Sequence, residues 1–277
     1  MTTARLPAVS GSFYPADALE LRNMISSFLS RAQVSGIPSG ARVIGGIVPH
    51  AGYVYSGQTA AYFFSIIRDI PDRKFLLLGP NHASYPPEVS LYPGEEWITP
   101  LGSARIDRSL YDPLAGERNF RVEFNERAHL REHSVEVEIP FLQSVFDGNF
   151  SFAPAIMGDQ RIETASALVE SILKSRNMPI VIASSDLTHY EPLGVANEKD
   201  RALLDSIVSL DVRRFYRTIF DKMITACGYG PIAVLMGITK ALNGRILPLH
   251  YSTSFEASGD SSSVVGYSSV IAYTGGD

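Results

Sequence analysis

Gly45-Gly46-Ile47-Val48-Pro49-His50-Ala51-Gly52-Tyr53-Val54-Tyr55-Ser56-Gly57 is the stretch that decides how this chain folds. The apolar run from Val43 to Val48, bounded by glycines and a proline, reads as a buried strand. It delivers His50 into a turn with Gly52, and Ser56 then stands where a helix N-cap belongs, ahead of Ala60-Ala61-Tyr62-Phe63-Phe64. α/β folds place their sites at the carboxyl ends of strands, where helices begin. The same device recurs at Lys74-Phe75-Leu76-Leu77-Leu78-Gly79-Pro80-Asn81-His82. Strand 43–48, helix 57–69 and strand 74–79 therefore form a strand–helix–strand unit, implying a parallel pair with a right-handed crossover.

Upstream, residues 5–15 read as extended and lead into a helix from Ala16 to Ala32, whose apolar stripe is Leu21, Met24, Ile25, Phe28 and Leu29. A linker from Val34 to Ala41 carries Gly36, Pro38 and Gly40. Downstream, residues 83–125 read as short antiparallel strands or irregular chain, and Glu126 to Phe146 as one helix kinked at Pro140. Strand 150–156, helix 162–176 and strand 179–183 repeat the alternation. Helices follow at 195–210, 213–221 and 231–242. The tail reads as strands Ile246 to Ser252 and Val264 to Tyr273 around the Gly/Ser-rich turn 254–263. No repeat or composition break divides residues 1–277, so the chain reads as a single α/β domain, a three-layer sandwich with a mostly parallel central sheet.

With 45% hydrophobic residues the chain can bury a sizeable core. The net charge of −5, with both signs interspersed, leaves no basic stripe and argues against nucleic acid as a partner. A single cysteine, Cys227, allows no intramolecular disulfide and suits a reducing compartment. The first residues lack the apolar core of a signal peptide, and no window reaches the roughly 18 apolar residues of a membrane span. The expectation is a soluble cytoplasmic protein that does not engage a membrane.

Three strands end at histidines in this reading: His50, His82 and, through Ser184-Ser185-Asp186-Leu187-Thr188-His189-Tyr190, His189. Parallel strands share one carboxyl edge, so the three converge despite their separation in sequence. Cys227 lies in a glycine-rich turn before a helix, where a thiolate is favoured; the plainer reading is a small buried hydrophobe. Two mechanisms fit these residues. Two histidines and a further ligand hold a divalent metal with open positions, as in non-haem Fe(II) oxygenases. Alternatively, Cys227 is a nucleophile activated by a histidine that Asp186 orients.

His129 and His133 share a helix face, but Leu130 follows His129 where a zincin motif needs Glu. His129 reads as part of a solvated face, beside Arg127, Arg131 and Glu132; His133 is harder to place on the surface, and His250 reads as structural. Tyr53, Tyr55, Tyr190 and Tyr229 offer aromatic walls for a ring substrate or a peptide side chain.

In order along residues 11–267, the sequence carries Gly11-Ser12-Phe13-Tyr14-Pro15, Pro49-His50-Ala51-Gly52-Tyr53-Val54-Tyr55-Ser56-Gly57, Gly79-Pro80-Asn81-His82, Glu132-His133-Ser134-Val135-Glu136, Ser184-Ser185-Asp186-Leu187-Thr188-His189-Tyr190, Ala226-Cys227-Gly228 and Val264-Val265-Gly266-Tyr267. In these segments it resembles the Memo family, also labelled AmmeMemoRadiSam system protein B. The resemblance implies a fold like that of the class III extradiol dioxygenases (LigB-like), in which non-haem Fe(II) cleaves catechol rings. It implies metal ligands at His50, His82 and Cys227, with the cysteine standing where the dioxygenases carry a carboxylate. His189 matches their acid/base histidine; Asp186 reads as its partner, and His133 with the four tyrosines as surrounding residues. Iron is then the first choice of metal, and copper the second because thiolate is softer than carboxylate. The family label also implies a pathway link to AMMECR1-like and radical SAM proteins. The implied activity is an oxidoreductase of extradiol type acting on a small aromatic ligand. The rival is a non-catalytic scaffold holding a metal or a peptide-like partner in the same cleft.

Overall fold

The computed structural model describes residues 4–34, 38–83, 87–115 and 120–276. Its strands, in chain order, are β1 (Ala4–Arg5), β2 (Arg42–Val48), β3 (Lys74–Pro80), β4 (Val89–Leu91), β5 (Glu96–Thr99), β6 (Gly102–Arg105), β7 (Val122–Phe124), β8 (Ser151–Met157), β9 (Ile180–Ser184), β10 (His189–Glu191), β11 (Arg245–Thr253) and β12 (Val264–Thr274). The helices are α1 (Ala18–Arg31), α2 (Tyr53–Ile67), α3 (Asp112–Ala115), α4 (Arg127–Leu130), α5 (Ile139–Phe146), α6 (Ile162–Leu173), α7 (Leu193–Val208), α8 (Val212–Asp221), α9 (Tyr229–Ala241) and α10 (Phe255–Ser258).

The large sheet runs β10-β12-β2-β9-β3-β8-β4-β7, with β11 also paired to β12. Its centre, β2-β9-β3-β8, is parallel; β12 joins β2 and β4 joins β8 antiparallel, so the sheet as a whole is mixed. The parallel expectation therefore holds for the four central strands and again for the outer β4–β7 pair, while β10, β11 and β12 pair antiparallel. The central strands read as unbroken apolar runs because helices cover both faces. Gly45 and Gly46 make that cover close. A Cβ on Gly46 would lie 2.3 Å from the Phe63 ring of α2, and one on Gly45 would lie 2.9 Å from Leu235 of α9 on the opposite face. The smaller sheet, β1-β5-β6, sets β1 parallel to β5 and closes β5–β6 as a hairpin.

Several readings need correction. β2 and β3 run parallel but are not neighbours, because β9 inserts between them. β4 and β7 pair parallel rather than antiparallel. α2 starts at Tyr53, whose N–H donates to Phe13 O (2.7 Å), so Ser56 sits inside the helix and donates to Ala51 O (3.0 Å) instead of capping. Gly36 of the linker, and residues 84–86 and 116–119 of the irregular stretch, lie outside the described residues.

The helix read from Glu126 to Phe146 is broken into α4, an irregular turn, a 3-10 turn at Glu136–Glu138, and α5. The Glu132 carboxylate accepts the N–H groups of His133 and Ser134 (both 2.9 Å), which a continuing helix would need for its own bonds. Pro140 then stands in the first turn of α5, where a missing N–H is harmless. His129, read as solvated, is 0% exposed, against Tyr92 and Trp97, with Nε2 beside Ser90 O at 3.2 Å.

This segment is clamped by the N-terminus. Arg5, 1% exposed, donates through Nε to His129 O, through Nη1 to Glu136 and through Nη2 to Glu132 O, each at 2.7 Å, and lies over Trp97. Glu136 also accepts from Ala8 N (2.8 Å), Val9 N (3.0 Å) and Tyr14 OH (2.7 Å). Removing one partner of such a buried pair strands the other, at a cost of about 3–5 kcal/mol. Arg5→Leu should therefore lower Tm by roughly 10 °C; a calorimetric Tm within a degree of wild type would show that this clamp does not carry stability.

Burial and the Arg5 charge hold His129 down at about 3, against an ordinary 6.5, although Glu132 pulls the other way. The unfolded imidazole takes up a proton below 6.5 and the folded one only near 3, so stability falls as pH drops through that window. His129→Gln should lose less Tm than wild type between pH 7 and pH 4; parallel slopes in the two proteins would remove His129 from the acid sensitivity.

Candidate metal centre

β2 ends two residues before His50, β3 two before His82, and β9 two before Asp186. Because β9 lies between β2 and β3, the three turns sit side by side on one carboxyl edge. Gly228, the N-cap of α9, brings Cys227 to the same place from the far end of the chain. A ring nitrogen of His50, one of His82 and the Cys227 sulfur all lie within 4.8 Å of one another. Cys227 Sγ is 3.1 Å from His50 Nε2.

Each imidazole is oriented by a partner on its other nitrogen, the arrangement that metal-binding histidines use. His50 Nδ1 lies 2.8 Å from Ser184 Oγ, leaving Nε2 toward the sulfur. Burial, together with the neighbouring imidazoles of His82, His133 and His189, holds His50 neutral, well below 6.5. His82 Nδ1 is 2.9 Å from Glu132 Oε1, and its own N–H donates to Oε2 (2.5 Å). Burial alone would raise the Glu132 carboxyl, but the hydrogen bonds and charge of His82 outweigh it and hold that group at about 2.

His82, Glu132 and His133 also present donors within 4.8 Å of one another. Both oxygens of Glu132 are already taken by His82, His133 N and Ser134 N, which makes it a holder of His82 rather than a ligand. His133 stacks on His82 (4.6 Å between ring centroids), faces His50 (5.5 Å) and is backed by Phe13 (4.7 Å).

His189 and Asp186 do not meet as the sequence suggested. His189 Nδ1 lies 2.8 Å from Leu187 O and 3.0 Å from Thr225 O, so it carries the proton and leaves Nε2 as a base. The Asp186 carboxylate instead accepts the His50 main-chain N–H (2.8 Å). Burial lifts Asp186 to about 6 against the pull of His189, so the two are linked by charge and not by a hydrogen bond. Burial and Asp186 together push the Cys227 thiol up, and Asp186 N–H donates to its sulfur (3.2 Å).

A cleft of about 470 Å³ opens in front of these groups, walled by Phe13, Tyr190, Val265 and Tyr267. Of the four tyrosines picked out from sequence, Tyr190 alone lines it. Tyr190 is 77% exposed, with φ of +58°, at an irregularity in the β10–β12 pairing that turns it out to the rim. Tyr53 points into the core, its hydroxyl on Val137 O (2.6 Å). Tyr229 packs on Tyr216, and Tyr55 lies half-exposed on α2. His250 stacks on Tyr62 (4.2 Å), away from the cleft. Glu132, Ser184, Phe13 and Tyr267 were not singled out from sequence. The only signal for the first two was their place inside the histidine-bearing segments. A larger cleft, of about 940 Å³, lies at the opposite end of the strands, by Arg42, Lys74 and Ser151, and holds none of the histidines.

Fold and cleft together define an α/β protein with two imidazoles and a thiol, side chains of the kind that can hold a metal ion, gathered at the carboxyl edge of its sheet. A family model described as Memo-like protein matches residues 5–271, and the chain belongs to the Memo family. It is 46% identical over 268 residues to a MEMO1 family protein of Thermoplasma acidophilum, covering 96% of this chain and 98% of that one. Identity to a MEMO1 family protein of Thermoplasma volcanium is 44%, over 97% of this chain and 98% of that one. To one of Methanosarcina acetivorans it is 37%, over 96% and 98%.

With three protein donors, loss of any one leaves an incomplete face. His50→Ala, His82→Ala and Cys227→Ala should each weaken Co(II) or Fe(II) binding by at least roughly 100-fold. Because the raised thiol must lose its proton on ligation, wild-type affinity should strengthen as pH rises. Anaerobic titration giving wild-type stoichiometry and affinity in Cys227→Ala would take the sulfur out of the ligand set.

Proposed function

We propose that this protein is a metal-dependent oxidoreductase resembling the class III extradiol dioxygenases, with iron(II) at His50, His82 and Cys227. The observation that carries the reading is the convergence of those donors at the mouth of a walled cleft, each imidazole held through its Nδ1. Two imidazoles and one thiolate are a donor set for a redox-active divalent ion, and copper is the second choice because the sulfur is soft. Iron bound there would supply the capacity to activate dioxygen beside an organic substrate.

The chain's own residues have separable tasks. Phe13, Tyr190 and Tyr267 form walls against which a small planar ligand packs and from which water is displaced. His189, fixed through Nδ1 by two carbonyls, takes or returns a proton at Nε2.

The 3.1 Å approach of Cys227 to His50 also fits a thiol nucleophile. Burial and Asp186 keep that thiol protonated, the wrong direction for such a role. The reading further places the protein in the cytoplasm, with a pathway link to AMMECR1-like and radical SAM proteins, in line with its single cysteine and its family resemblance. Among the described residues no helix is long and apolar enough to cross a membrane.

Protein purified without oxygen should contain iron and consume oxygen with at least one member of a catechol panel. His189→Gln should keep its metal within about twofold while turnover drops roughly 10²-fold or more. Metal loss in that variant would make His189 a ligand. A wild-type protein that takes up no metal and binds peptides in the cleft would establish the scaffold reading instead.

A further inference from the structure

Glu138 is buried directly behind the site, 1% exposed, and the proposed chemistry gives it no task. Its Oε1 lies 2.9 Å from Ser184 Oγ, and its Oε2 is buried without a hydrogen-bond partner. Ser184 Oγ has two further neighbours: Ser134 O at 2.6 Å and His50 Nδ1 at 2.8 Å.

Counting protons over these four groups leaves one self-consistent arrangement. A hydroxyl has one proton to donate and two lone pairs with which to accept. Ser134 O is a carbonyl and accepts only, so at 2.6 Å it takes the hydroxyl proton. The remaining two neighbours must then donate to Ser184 Oγ. His50 can do so only as the Nδ1–H tautomer, and Glu138 only as an un-ionised acid. The bare Oε2 agrees: a buried carboxylate oxygen with no donor is far more costly than the carbonyl oxygen of a neutral acid.

We propose that Glu138 is a neutral carboxylic acid donating to Ser184 Oγ, and that this acid–hydroxyl pair fixes His50 in the tautomer whose Nε2 lone pair faces Cys227. Glu138 is thereby a positioning residue for the donor nitrogen of His50, and this assignment rests on the reading of His50, His82 and Cys227 as metal ligands. Full burial and the nearby Asp186 charge both push the Glu138 carboxyl well above its ordinary 4.5. The same tautomer lets the Cys227 thiol donate to Nε2 across 3.1 Å.

Infrared difference spectroscopy of metal-free protein at neutral pH, wild type minus Glu138→Gln, should show the carbonyl stretch of an un-ionised acid. Nitrogen-15 NMR of the imidazoles should give His50 as Nδ1–H in wild type and in Glu138→Gln, whose amide still donates to Ser184. Ser184→Ala should shift His50 toward Nε2–H and weaken Co(II) binding by roughly 10–100-fold, while Glu138→Gln stays within about threefold. A carboxylate signal for Glu138, an Nε2–H wild-type His50, or an unchanged tautomer in Ser184→Ala would each overturn the assignment. If the infrared and NMR signatures appear but wild type binds no Co(II), the positioning chain stands and the metal reading fails.

Discussion

The buried guanidinium of Arg5 is the interaction on which most of the rest depends. A cation with so little exposure persists only when its donors are matched, and here they are matched by one short segment, through His129 O, Glu132 O and the Glu136 carboxylate. Main-chain N–H groups of Ala8 and Val9 and the Tyr14 hydroxyl fasten the next stretch of chain to the same Glu136. The N-terminal strap and the 129–138 segment thus behave as one body. Glu132 is part of it, so the orientation of His82 traces back through a carboxylate and a guanidinium to the fifth residue of the chain.

The sheet supplies the other half of the arrangement. With β9 between β2 and β3, Ser184 and Asp186 fall between the two strand-end histidines, where one supports the His50 ring and the other its main chain. The antiparallel strand β12 then ties down residues 187 and 188: Leu187 N donates to Gly266 O (2.8 Å) and Gly266 N to Thr188 O (2.9 Å). Asp200 takes Thr188 N (3.0 Å) and the Tyr251 hydroxyl (2.9 Å). His189 is therefore placed by the C-terminal strand as much as by the strand that precedes it.

The class of the fold and the strand-end positions of His50 and His82 were legible in the sequence, because apolar runs stopped by Pro and Gly mark strand ends in parallel sheets. The turn before a helix likewise marked Cys227. The acids of the 132–138 segment were opaque. Their spacing mimics the polar face of a helix, and the groups that bury them lie far away in sequence: Arg5 is 131 residues from Glu136, and Ser184 is 46 from Glu138. His129 misled for the same reason, since its charged sequence neighbours said nothing of Tyr92 and Trp97. Tyr53 lies beside a site residue in sequence, yet the phase of α2 sends its ring inward. Asp186 and His189 sit three apart, but main-chain groups claimed each of them first.

The long reach of these contacts bears on how the centre comes into being. Cys227 meets His50 across 177 residues, and Ser184 meets Ser134 across 50. Contacts that close such long loops are made only after their entropy has been offset by structure elsewhere. A nascent or partly melted chain can hold the helices and the inner strands and still possess no centre at all. Any cation held by His50, His82 and Cys227 would therefore be a readout of the completed tertiary structure, since a chain that has not finished folding has not yet brought those donors together.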